Sequence, residues 1–463
     1  MIFPETIDFD VLKRFNRPGP RYTSYPTAPV FSPEFSSEEF RNEIVATNSN
    51  GAATTPLSLY FHFPFCAKLC YFCGCNMRVT HDRALIRKYL DHLKKEIDMI
   101  SGMIAPGRKA IQMHWGGGTP THLTPEETRE IGHYIKERFA FAPDIEASVE
   151  IDPRNLTEDH IAALSEVGFN RTSFGVQDFN PQVQEAINRV QSEEITRETF
   201  RWARENGFES INLDLIYGLP FQTVSTFEDT VEKVIDISPD RIAVFNYAHV
   251  PWLKKHQSVM PAEEMPSPDE RLAILKMTIH KLVDAGYEYI GMDHFAKPTD
   301  ELAIAQKNGT LYRNFQGYST HAGADVYALG LSSISQFENI YAQNLKDLGS
   351  YYNRIAAGEP ATHVGYRMTT DDHIRKETIM KLMCNLELDK GQIGEQFGIE
   401  FDEYFADDIP KLEPFIAEGL VENGADKISV LGSGILIIRN IAMCFDAYLE
   451  RMMKEKPVFS KTV

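Results

Sequence analysis

The sequence is poor in cysteine, in basic residues and in long apolar runs. Six of its 463 residues are cysteines, and 66 acidic residues outnumber 47 basic ones, so the formal net charge is −19. A chain this acidic is a poor candidate for binding the phosphate backbone of nucleic acids. So few cysteines cannot easily cross-link a chain of this length, and a chain this long buries a sizeable core without such cross-links.

The sequence also lacks the patterns of a secretory signal and of a membrane span. Its N-terminus has no basic segment followed by an apolar one, and its most apolar late stretch is interrupted by Arg439 and Asn440. No internal repeat stands out. We therefore expect a cytoplasmic protein with no membrane span and no nucleic-acid partner. No surface patch argues for association, so a monomer is expected.

Six short apolar segments bounded by Gly, Pro, Asn or Asp predict β-strands. They are residues 57–63, 111–115, 147–152, 171–176, 211–217 and 241–247. Helical patterns lie between them, and this alternation predicts a parallel sheet. Six units are too few to close an eight-stranded barrel. We therefore predict an α/β fold with a partial (β/α)6 TIM-like barrel, whose chemistry lies at the carboxyl ends of its strands.

The segments before and after these six strand–helix units lack the same strand–helix alternation. The first 30 residues read as irregular, because residues 18–26 hold three prolines. The Gly-rich region 314–335 reads as irregular too. Beyond Asp371, helical patterns precede a predicted hairpin within residues 419–430, with Asn423 and Gly424 as its turn, and a final helix.

These readings divide the chain into three parts. Residues 1–55 are predicted to form an irregular N-terminal arm and a linker. Residues 56–370 are predicted to form the catalytic domain, with the barrel at about 56–250 followed by an extension. Residues 371–463 are predicted to form a mostly helical C-terminal domain.

The strongest motif is a cysteine cluster directly after the first predicted strand. Cys66, Cys70 and Cys73 have the spacing C-x3-C-x2-C, and Cys75 follows. Three thiolates on one loop can hold three irons of a [4Fe–4S] cluster and leave the fourth iron open to another ligand. Spacing alone also leaves open a zinc ion with Cys75 or His62 as fourth ligand, and plain buried cysteines. The remaining two, Cys384 and Cys444, read as packing residues.

A glycine triplet, Gly116 to Gly118, follows the second predicted strand. Without side chains there, backbone groups can approach a ligand closely. Together, the cysteine loop and this triplet resemble the radical S-adenosylmethionine (SAM) superfamily, in which SAM chelates the open iron. The aromatic Phe72 before the third cysteine fits that pattern.

Further segments resemble one family within it, the oxygen-independent coproporphyrinogen III oxidases. The resemblance extends from the proline-rich arm to residues 442–446. The segments that carry it are residues 18–27, 57–60, 73–76, 175–179, 214–220, 245–249 and 291–296.

This resemblance implies oxidative decarboxylation of two propionate side chains of coproporphyrinogen III to vinyl groups, giving protoporphyrinogen IX in haem biosynthesis. It implies a [4Fe–4S] cluster and two SAM molecules as cofactors, and a mechanism through a 5′-deoxyadenosyl radical. An electron donor and an electron acceptor are required and stay unidentified. No amino-acid side chain is assigned as a catalytic group, because the radical is generated at cluster-bound SAM.

The resemblance also implies the site residues. The cluster ligands would be Cys66, Cys70 and Cys73. Positions around the first SAM would be Tyr60, Phe72, Gly117, Glu150 and Ile334. Positions around the second SAM would be Gly118, Thr119, Gln177, Arg189, Asp214 and Ala248. Cys75 and Arg21 are accessory candidates, since the family retains a cysteine similar in place to Cys75 without using it as a cluster ligand.

A substrate with four propionates is strongly anionic, so an acidic chain must present local basic groups to it. Arg21, Lys68, Lys297 and Arg313 are candidates by location. We also expect the proline-rich arm to fold over the mouth of the barrel and exclude water.

Two alternatives remain at this stage. The first is a haem chaperone of radical SAM type without decarboxylase activity; such relatives typically have an aromatic residue after the third cysteine, where this chain has Gly74, and lack the proline-rich arm. The second is a non-catalytic protein with a zinc loop. It predicts a colourless protein with zinc, whereas the oxidase predicts a brown, oxygen-sensitive protein with iron and sulfide.

Overall fold

The computed structural model describes residues 8–49, 54–455, 459, 460 and 462. Residues 1–7 and 50–53 of the predicted arm and linker lie outside the described residues. So do residues 456–458, 461 and 463 of the predicted C-terminal domain. Among the described residues, no helix combines the length and apolar character needed to cross a bilayer.

The strands are β1 (Leu57–Phe63), β2 (Phe65–Cys66), β3 (Arg78–Val79), β4 (Lys109–Gly117), β5 (Ala140–Ile151), β6 (Arg171–Gln177), β7 (Ser210–Tyr217), β8 (Arg241–Asn246), β9 (Glu288–Gly291), β10 (His294–Ala296), β11 (Tyr312–Asn314), β12 (Gly317–Ser319), β13 (Asp325–Leu329), β14 (Ile334–Gln336), β15 (Ile340–Asn344), β16 (Thr362–Arg367), β17 (Glu387–Asp389), β18 (Val421–Asn423) and β19 (Lys427–Val430).

The helices are α1 (Phe9–Phe15), α2 (Ser37–Asn48), α3 (Arg83–Ser101), α4 (Pro125–Arg138), α5 (Glu158–Glu166), α6 (Pro181–Ala186), α7 (Glu193–Glu205), α8 (Val224–Ile237), α9 (Pro268–Asp284), α10 (Glu301–Lys307), α11 (Leu348–Ala356), α12 (Thr370–Asn385), α13 (Lys390–Phe397), α14 (Phe401–Tyr404), α15 (Glu413–Ala417), α16 (Ile438–Ala442) and α17 (Leu449–Glu455).

One large sheet organises the chain. Its strand order is β16-β15-β14-β13-β1-β4-β5-β6-β7-β8-β10-β9. The six predicted βα strands, β1 and β4 to β8, are neighbours in it and run parallel. The predicted α/β partial barrel is therefore confirmed. Antiparallel strands extend the sheet at both edges.

Two predictions of irregular structure were wrong. The Gly-rich region 314–335 contains β13, which pairs in parallel with β1 and extends the parallel array. All five residues of β13 are buried, so it lacks the alternation that marks a strand in sequence. Near the N-terminus, α1 forms because the Asp8 side chain caps it and Val11 and Leu12 bury their side chains.

Strand alternation separates an apolar face from a polar one. On β1, Leu57, Leu59 and Phe61 are fully buried in the main hydrophobic core. Ser58, between them, faces the other side of the sheet, and its hydroxyl donates a hydrogen bond of 2.8 Å to the Gln112 side chain of β4. This polar face forms the inside of the partial barrel, which we call the lumen.

The C-terminal part carries the predicted hairpin, formed by β18 and β19. Asn423 belongs to β18, so the turn is a longer loop closed by a hydrogen bond from the Gly424 N–H to the Lys427 carbonyl (2.9 Å). The strand β17 pairs with the other side of β19 and completes a small three-stranded sheet.

The arm packs against this C-terminal part. Within it, the Tyr22 hydroxyl donates to the Asp446 carboxylate at 2.9 Å. The Arg439 guanidinium of α16 donates to the carbonyls of Gly19 and Pro20. Since Tyr22 and Tyr25 are buried, the proline-rich segment of the arm is part of the folded core.

A glycine on α4 tests the packing of the outer helices. A Cβ added at Gly132 would lie 2.6 Å from the Val167 Cβ after α5. We expect Gly132→Ala to lower the midpoint of thermal unfolding, because overpacking costs roughly 1–3 kcal/mol and exceeds the gain of about 1 kcal/mol that alanine gives over glycine inside a helix. Differential scanning calorimetry measures the shift.

Gly349→Ala on α11 is the matched control, since a Cβ there meets nothing closer than 3.5 Å. We expect that variant to unfold slightly above the parent. Adding Val167→Ala to Gly132→Ala should restore part of the loss, because it removes the clashing methyl groups. Equal unfolding midpoints for Gly132→Ala and Gly349→Ala would contradict the packing argument.

Candidate active site

The cluster loop, residues 66–75, lies at the carboxyl end of the parallel sheet, where β1 and the short strand β2 end. Its four cysteines, Cys66, Cys70, Cys73 and Cys75, all line one cavity of about 290 Å³, which we call the cluster cavity. The strands β4 to β8 contribute to its wall the residues Gly117, Glu150, Gly175, Asp214 and Phe245.

Two of the cysteine thiols sit in contrasting surroundings. Cys66 Sγ lies 3.2 Å from the Thr119 hydroxyl, and burial raises the pKa of Cys66 to about 12. Cys73 Sγ lies 3.4 Å from the Cys75 N–H. Hydrogen bonds from Cys75, together with the nearby positive charge of Lys254, lower the pKa of Cys73 to about 6.

Cys70 faces two arginines. Arg154 Nη2 and Arg189 Nη1 donate to its sulfur at 3.4 and 3.5 Å. The Asp152 carboxylate pairs with both guanidinium groups, at 2.6 and 3.1 Å, and holds them in place. Two cations directed at the Cys70 sulfur complement the negative charge that a metal-bound cysteine sulfur carries.

This donor set fits an iron–sulfur cluster. Within the described residues, no group of three or more His, Cys, Asp or Glu is close enough to hold a single metal ion. A [4Fe–4S] cluster does not need such a group, because it takes each thiolate on a different iron. Three cysteines around one cavity, with cations beside the sulfurs, match that requirement.

A segment far along the chain covers the outside of the cluster loop. Lys254 Nζ donates to the Cys75 carbonyl at 3.1 Å, and Gln257 Nε2 donates to the Phe72 carbonyl at 3.0 Å. His256 Nε2 lies 2.7 Å from the Cys73 carbonyl. Sequence reasoning missed these residues, and it missed Asp152 and Arg154 too. For the covering segment the sequence carries no local signal, since its role depends on contacts with residues far away in the chain.

The glycine triplet lies against the start of the cluster loop. Gly117 has a φ of +114°, and a Cβ added there would lie 2.6 Å from the His62 ring. A Cβ on Gly118 would lie 2.7 Å from the backbone of Pro64, and the Gly118 N–H donates to the Phe63 carbonyl at 2.8 Å. Only glycine lets β4 end this close to the cluster loop.

Glu150 stands at the end of β5, opposite this triplet. Its carboxylate accepts a hydrogen bond of 3.1 Å from the Gly117 N–H and lies 3.6 Å from His114 Nε2. Burial opposes the charged form, but the interactions with His114 and Gly117 outweigh it and lower the pKa of Glu150. The carboxylate is therefore ionised and able to accept from a cationic or hydroxyl-bearing ligand.

A second polar group surrounds Asp214 on β7. The Ser173 hydroxyl and the Asn212 side-chain amide donate to its carboxylate at 2.7 Å each. Burial nevertheless raises the pKa of Asp214 to about 6, and the charge of Glu150 acts in the same direction. Nearby, Gln177 adopts a left-handed φ of +70°, an uncommon backbone conformation that occurs at functional sites.

Arg189 lies on the same side as these groups. Its Nη2 donates to the Gly175 carbonyl at 2.6 Å. A Cβ at Gly175 would lie 2.7 Å from Gln177 Nε2 and 2.9 Å from Arg189 Nη2. Glycine at this position therefore leaves the space that both side chains occupy.

Three of the residues predicted around the two SAM molecules lie outside the lining of the cluster cavity. Tyr60 lies in the lumen with its ring stacked on that of His114, at 5.8 Å between centroids. Ile334 packs against the cluster of Phe31 and Tyr341. Ala248 lines a neighbouring cavity. The cluster cavity does bring together the predicted residues Cys66, Cys70, Phe72, Cys73, Cys75, Gly117, Gly118, Thr119, Glu150, Gln177, Arg189 and Asp214.

The candidate basic residues are dispersed. Lys68 lines the cluster cavity. Arg21 pairs with Asp293, and its guanidinium carbon lies 5.5 Å from the centre of the Phe245 ring. Arg313 is buried beside it and donates to the Arg21 carbonyl at 3.3 Å. Lys297 donates to the Ser238 carbonyl, before the start of β8, so it lies at the opposite end of the barrel from the cavity.

Two family profiles match the chain. The radical SAM superfamily matches residues 60–234, and the HemN C-terminal domain matches residues 368–437. The first match spans the parallel strands from β1 to β7, and the second spans α12 to the hairpin and the residues after it.

Relatives of known name match the chain over its full length. An oxygen-independent coproporphyrinogen III oxidase of Synechocystis is 43% identical over 100% of this chain and 99% of its own length. The protein of the same name from Escherichia coli is 44% identical over 99% of each chain. A solved structure of E. coli coproporphyrinogen III oxidase (HemN), described as a radical SAM enzyme, superposes with a TM-score of 0.91 at 45% identity. It covers 96% of this chain and 99% of that one.

The close approach at Gly117 makes a testable demand. We expect Gly117→Ala to weaken SAM binding by about tenfold or more, because the new Cβ displaces the His62 ring and alanine disfavours a φ of +114°. Isothermal titration of SAM into the anaerobically reconstituted enzyme measures the affinity.

Gly74→Ala in the cluster loop is the control, because a Cβ there has open space within 4 Å. It should retain both its iron and its SAM affinity. A Gly117→Ala protein that binds SAM as tightly as the Gly74→Ala protein would contradict the proposed need for glycine at this point.

Proposed function

The chain belongs to the family of oxygen-independent coproporphyrinogen III oxidases within the radical SAM superfamily, and from that premise we propose how its own residues serve the reaction. The enzyme converts two propionate side chains of coproporphyrinogen III into vinyl groups, releases two molecules of carbon dioxide and yields protoporphyrinogen IX. When bound, the [4Fe–4S] cluster and SAM supply the 5′-deoxyadenosyl radical that removes a hydrogen atom from each propionate.

One observation carries the assignment to these residues. Four cysteines from one loop, three of them with the spacing C-x3-C-x2-C, line a cavity at the carboxyl ends of parallel strands, next to the glycine triplet and two lumen carboxylates. We propose that Cys66, Cys70 and Cys73 ligate the cluster. Arg154 and Arg189 would hydrogen-bond to the Cys70 sulfur and hold it in position, and Cys75 would remain a neighbour of the cluster without binding iron.

The residues proposed for the first SAM lie around the glycine triplet. The Glu150 carboxylate is ionised and faces the cavity, so it can accept from an ammonium group or from ribose hydroxyls. The backbone at Gly117 permits close approach, and Phe72 supplies an apolar wall. Tyr60 would act from the lumen through His114, and Ile334 would act from β14, which is separated from β1 by β13 in the sheet.

The residues proposed for the second SAM lie around Asp214. The Arg189 guanidinium can bind a carboxylate, and Gln177 can donate and accept hydrogen bonds beside it. Gly118 and Thr119 would bound this position next to Cys66, and Ala248 would bound it from the end of β8. Two SAM molecules are part of the proposal, as is an external electron donor and acceptor.

The position of Arg21 in the arm supports a role for the arm in closing the site. Arg21 lies over Phe245, which lines the cluster cavity, and its ion pair with Asp293 ties the arm to the loop between β9 and β10. We propose that this contact excludes water and competing hydrogen donors from the mouth of the barrel. The proposal also includes a monomeric enzyme in the cytoplasm and the three-part division at residues 55/56 and 370/371.

Metal content and products test this assignment together. The reconstituted enzyme should hold about four irons and matching sulfide, and should convert coproporphyrinogen III to protoporphyrinogen IX when given SAM and a reductant without oxygen. Cys70→Ser should lose most of its iron and all activity, because one thiolate ligand is gone. Elemental analysis measures the iron and sulfide content, and chromatography of the porphyrin products measures the activity.

Cys75→Ala and the buried Cys384→Ser are the controls, and both should keep their iron. Equal iron loss in Cys70→Ser and Cys75→Ala would contradict the ligand assignment. One zinc per chain without iron would support the zinc-loop alternative. A cluster without any decarboxylation product would support the haem chaperone.

The raised pKa of Asp214, about 6, predicts a pH dependence of SAM binding. Below that pH the carboxyl group is neutral and cannot accept a charge-assisted hydrogen bond; above it the carboxylate is available. Its charged neighbours are Glu150, which raises the pKa, and Arg189, which lowers it. We expect the affinity for the second SAM to rise by about tenfold from pH 5 to pH 7.

Asp214→Asn should bind SAM more weakly at pH 7 and lose this part of the pH dependence, because the amide does not titrate. Calorimetric titrations of both proteins at several pH values between 5 and 8 make the comparison. The same pH profile in Asp214→Asn and the parent enzyme would exclude Asp214 as the group responsible.

A further inference from the structure

A second cavity, of about 470 Å³, borders the cluster cavity at the ends of two strands. At the end of β7, Ile216 lines the cluster cavity and the next residue, Tyr217, lines the second one. At the end of β8, Phe245 likewise lines the cluster cavity and the next residue, Asn246, lines the second one. Arg21 lines the second cavity and contacts the Phe245 ring, so it stands at the boundary between the two cavities.

Three arginines converge on this second cavity: Arg21 from the arm, Arg271 from α9 and Arg439 from α16. Within the described part of the chain, Asp293 is the one acidic residue that lines the cavity, and it pairs with Arg21. Arg271 Nε donates to the Pro266 carbonyl at 3.2 Å, and Arg439 donates to backbone carbonyls of the arm. Neither forms an ion pair with a carboxylate among the described residues.

The electrostatics of the cavity show an excess of positive charge. Burial lowers the pKa of Arg21 to about 9, and the neighbouring charges of Arg439 and Arg313 add to the effect. Burial and Arg313 likewise lower the pKa of Arg439 to about 10. Cations that destabilise one another in this way are stabilised when an anion binds between them. The cavity of this chain, whose net charge is −19, thus holds one ion pair and two further arginines, Arg271 and Arg439, without a carboxylate partner among the described residues.

A buried hydrogen-bond donor of Arg313, which contacts the cavity residue Arg21, also favours a ligand that carries oxygen atoms. Arg313 Nη1 is buried and has no hydrogen-bond partner among the described residues, although Arg313 Nε donates to the Arg21 carbonyl. A buried donor without a partner is costly, and a ligand oxygen or ordered water would satisfy it. Part of the rest of the wall is apolar: Trp252 is 58% exposed at the rim, and Leu272 and Tyr247 lie deeper. Neutral polar side chains also line it, namely Asn16, Asn246, His249, Ser460 and Thr462.

The cavity therefore suits an amphiphilic carboxylate, with an apolar part against Trp252 and a negative end among the arginines. We propose that this cavity binds propionate carboxylates of the tetrapyrrole substrate, and that Arg271 and Arg439 are the carboxylate-binding residues. Arg21 would contact the substrate at the boundary between this cavity and the cluster cavity. This inference rests on the proposed function.

The proposal explains how one macrocycle is oriented for reaction. The substrate has four propionates, of which two react, so a fixed enzyme must hold unreacted carboxylates while it presents another to the cluster cavity. Guanidinium groups bind carboxylates in a planar, bidentate manner and thereby fix orientation as well as position. Arg271 is the best single test, because it does not support the arm as Arg439 does.

The test is a binding titration with coproporphyrin III, the oxidised fluorescent analogue that carries the same four propionates, on the full-length reconstituted enzyme without oxygen. We expect the tetramethyl ester to bind at least about tenfold more weakly than the acid. Arg271→Gln should weaken binding of the acid by about 10- to 100-fold, leave binding of the ester unchanged and raise the KM for coproporphyrinogen III.

Arg271→Lys should recover part of the affinity, since it keeps the charge and loses the bidentate geometry. Arg201→Gln, on the exposed face of α7 where Arg201 pairs with Glu205, is the matched control and should bind like the parent. Iron content and the unfolding midpoint of Arg271→Gln establish that the variant is folded. Folded Arg271→Gln that binds the acid as tightly as the parent would overturn the proposal, as would equal weakening of acid and ester.

The same experiment separates this proposal from the proposed function. A parent enzyme that makes protoporphyrinogen IX while Arg271→Gln keeps the parent KM would overturn the carboxylate site alone. A parent protein that prefers the acid over the ester through Arg271 but makes no vinyl product would support the carboxylate site and contradict the reaction.

Discussion

The inside of the barrel is built from polar side chains that must satisfy one another, and the site depends on that requirement. In the lumen, Gln112 Nε2 donates to the Glu146 carboxylate at 2.8 Å, and His114 Nδ1 lies 2.6 Å from the Ser148 hydroxyl. Buried polar groups are costly without partners, so these contacts hold the strand ends in register. Of these hydrogen-bond acceptors on β5, Glu150 lies nearest to the carboxyl end of the strand, and its carboxylate accepts a hydrogen bond from the Gly117 N–H.

Charge is distributed unevenly over an acidic chain. Ordinary ion pairs between helices account for many of the basic side chains, as where Arg129 pairs with Asp159 and Glu166. Around the cluster cavity, by contrast, Arg154 and Arg189 share the Asp152 carboxylate and also face a cysteine sulfur. Cations are thus concentrated beside a cysteine of the cluster cavity, while the chain as a whole, with a net charge of −19, disfavours the binding of other polyanions.

The arm and the C-terminal part act together at the mouth of the barrel. The Asn440 side chain donates to the Phe15 carbonyl at 2.7 Å, and Arg439 bonds to the arm carbonyls further along. Among its described residues the C-terminal part has none that lines the cluster cavity. Its contacts instead hold the arm segment that carries Arg21, which in turn lies over Phe245.

The sequence by itself determined the features that local spacing encodes. The three proposed cluster ligands lie on one short loop, so their spacing favoured a cluster, although it left a zinc ion and plain buried cysteines open. The six βα strands were predicted from short apolar runs bounded by turn residues, since such a run is a local property. The strand β13 was missed, because a fully buried strand of five residues has no alternation and forms only by pairing with β1.

Only the tertiary structure decided which cations face the reaction site. The sequence offered Lys297 and Arg21 alike as basic candidates by location, yet Lys297 lies at the opposite end of the barrel. Arg271 and Arg439, in contrast, line the cavity next to the cluster cavity. These side chains come from the arm, an outer helix and the C-terminal part, and no pattern within any one of those segments marks them. Their convergence depends on how the segments pack, and packing is a property of the whole chain.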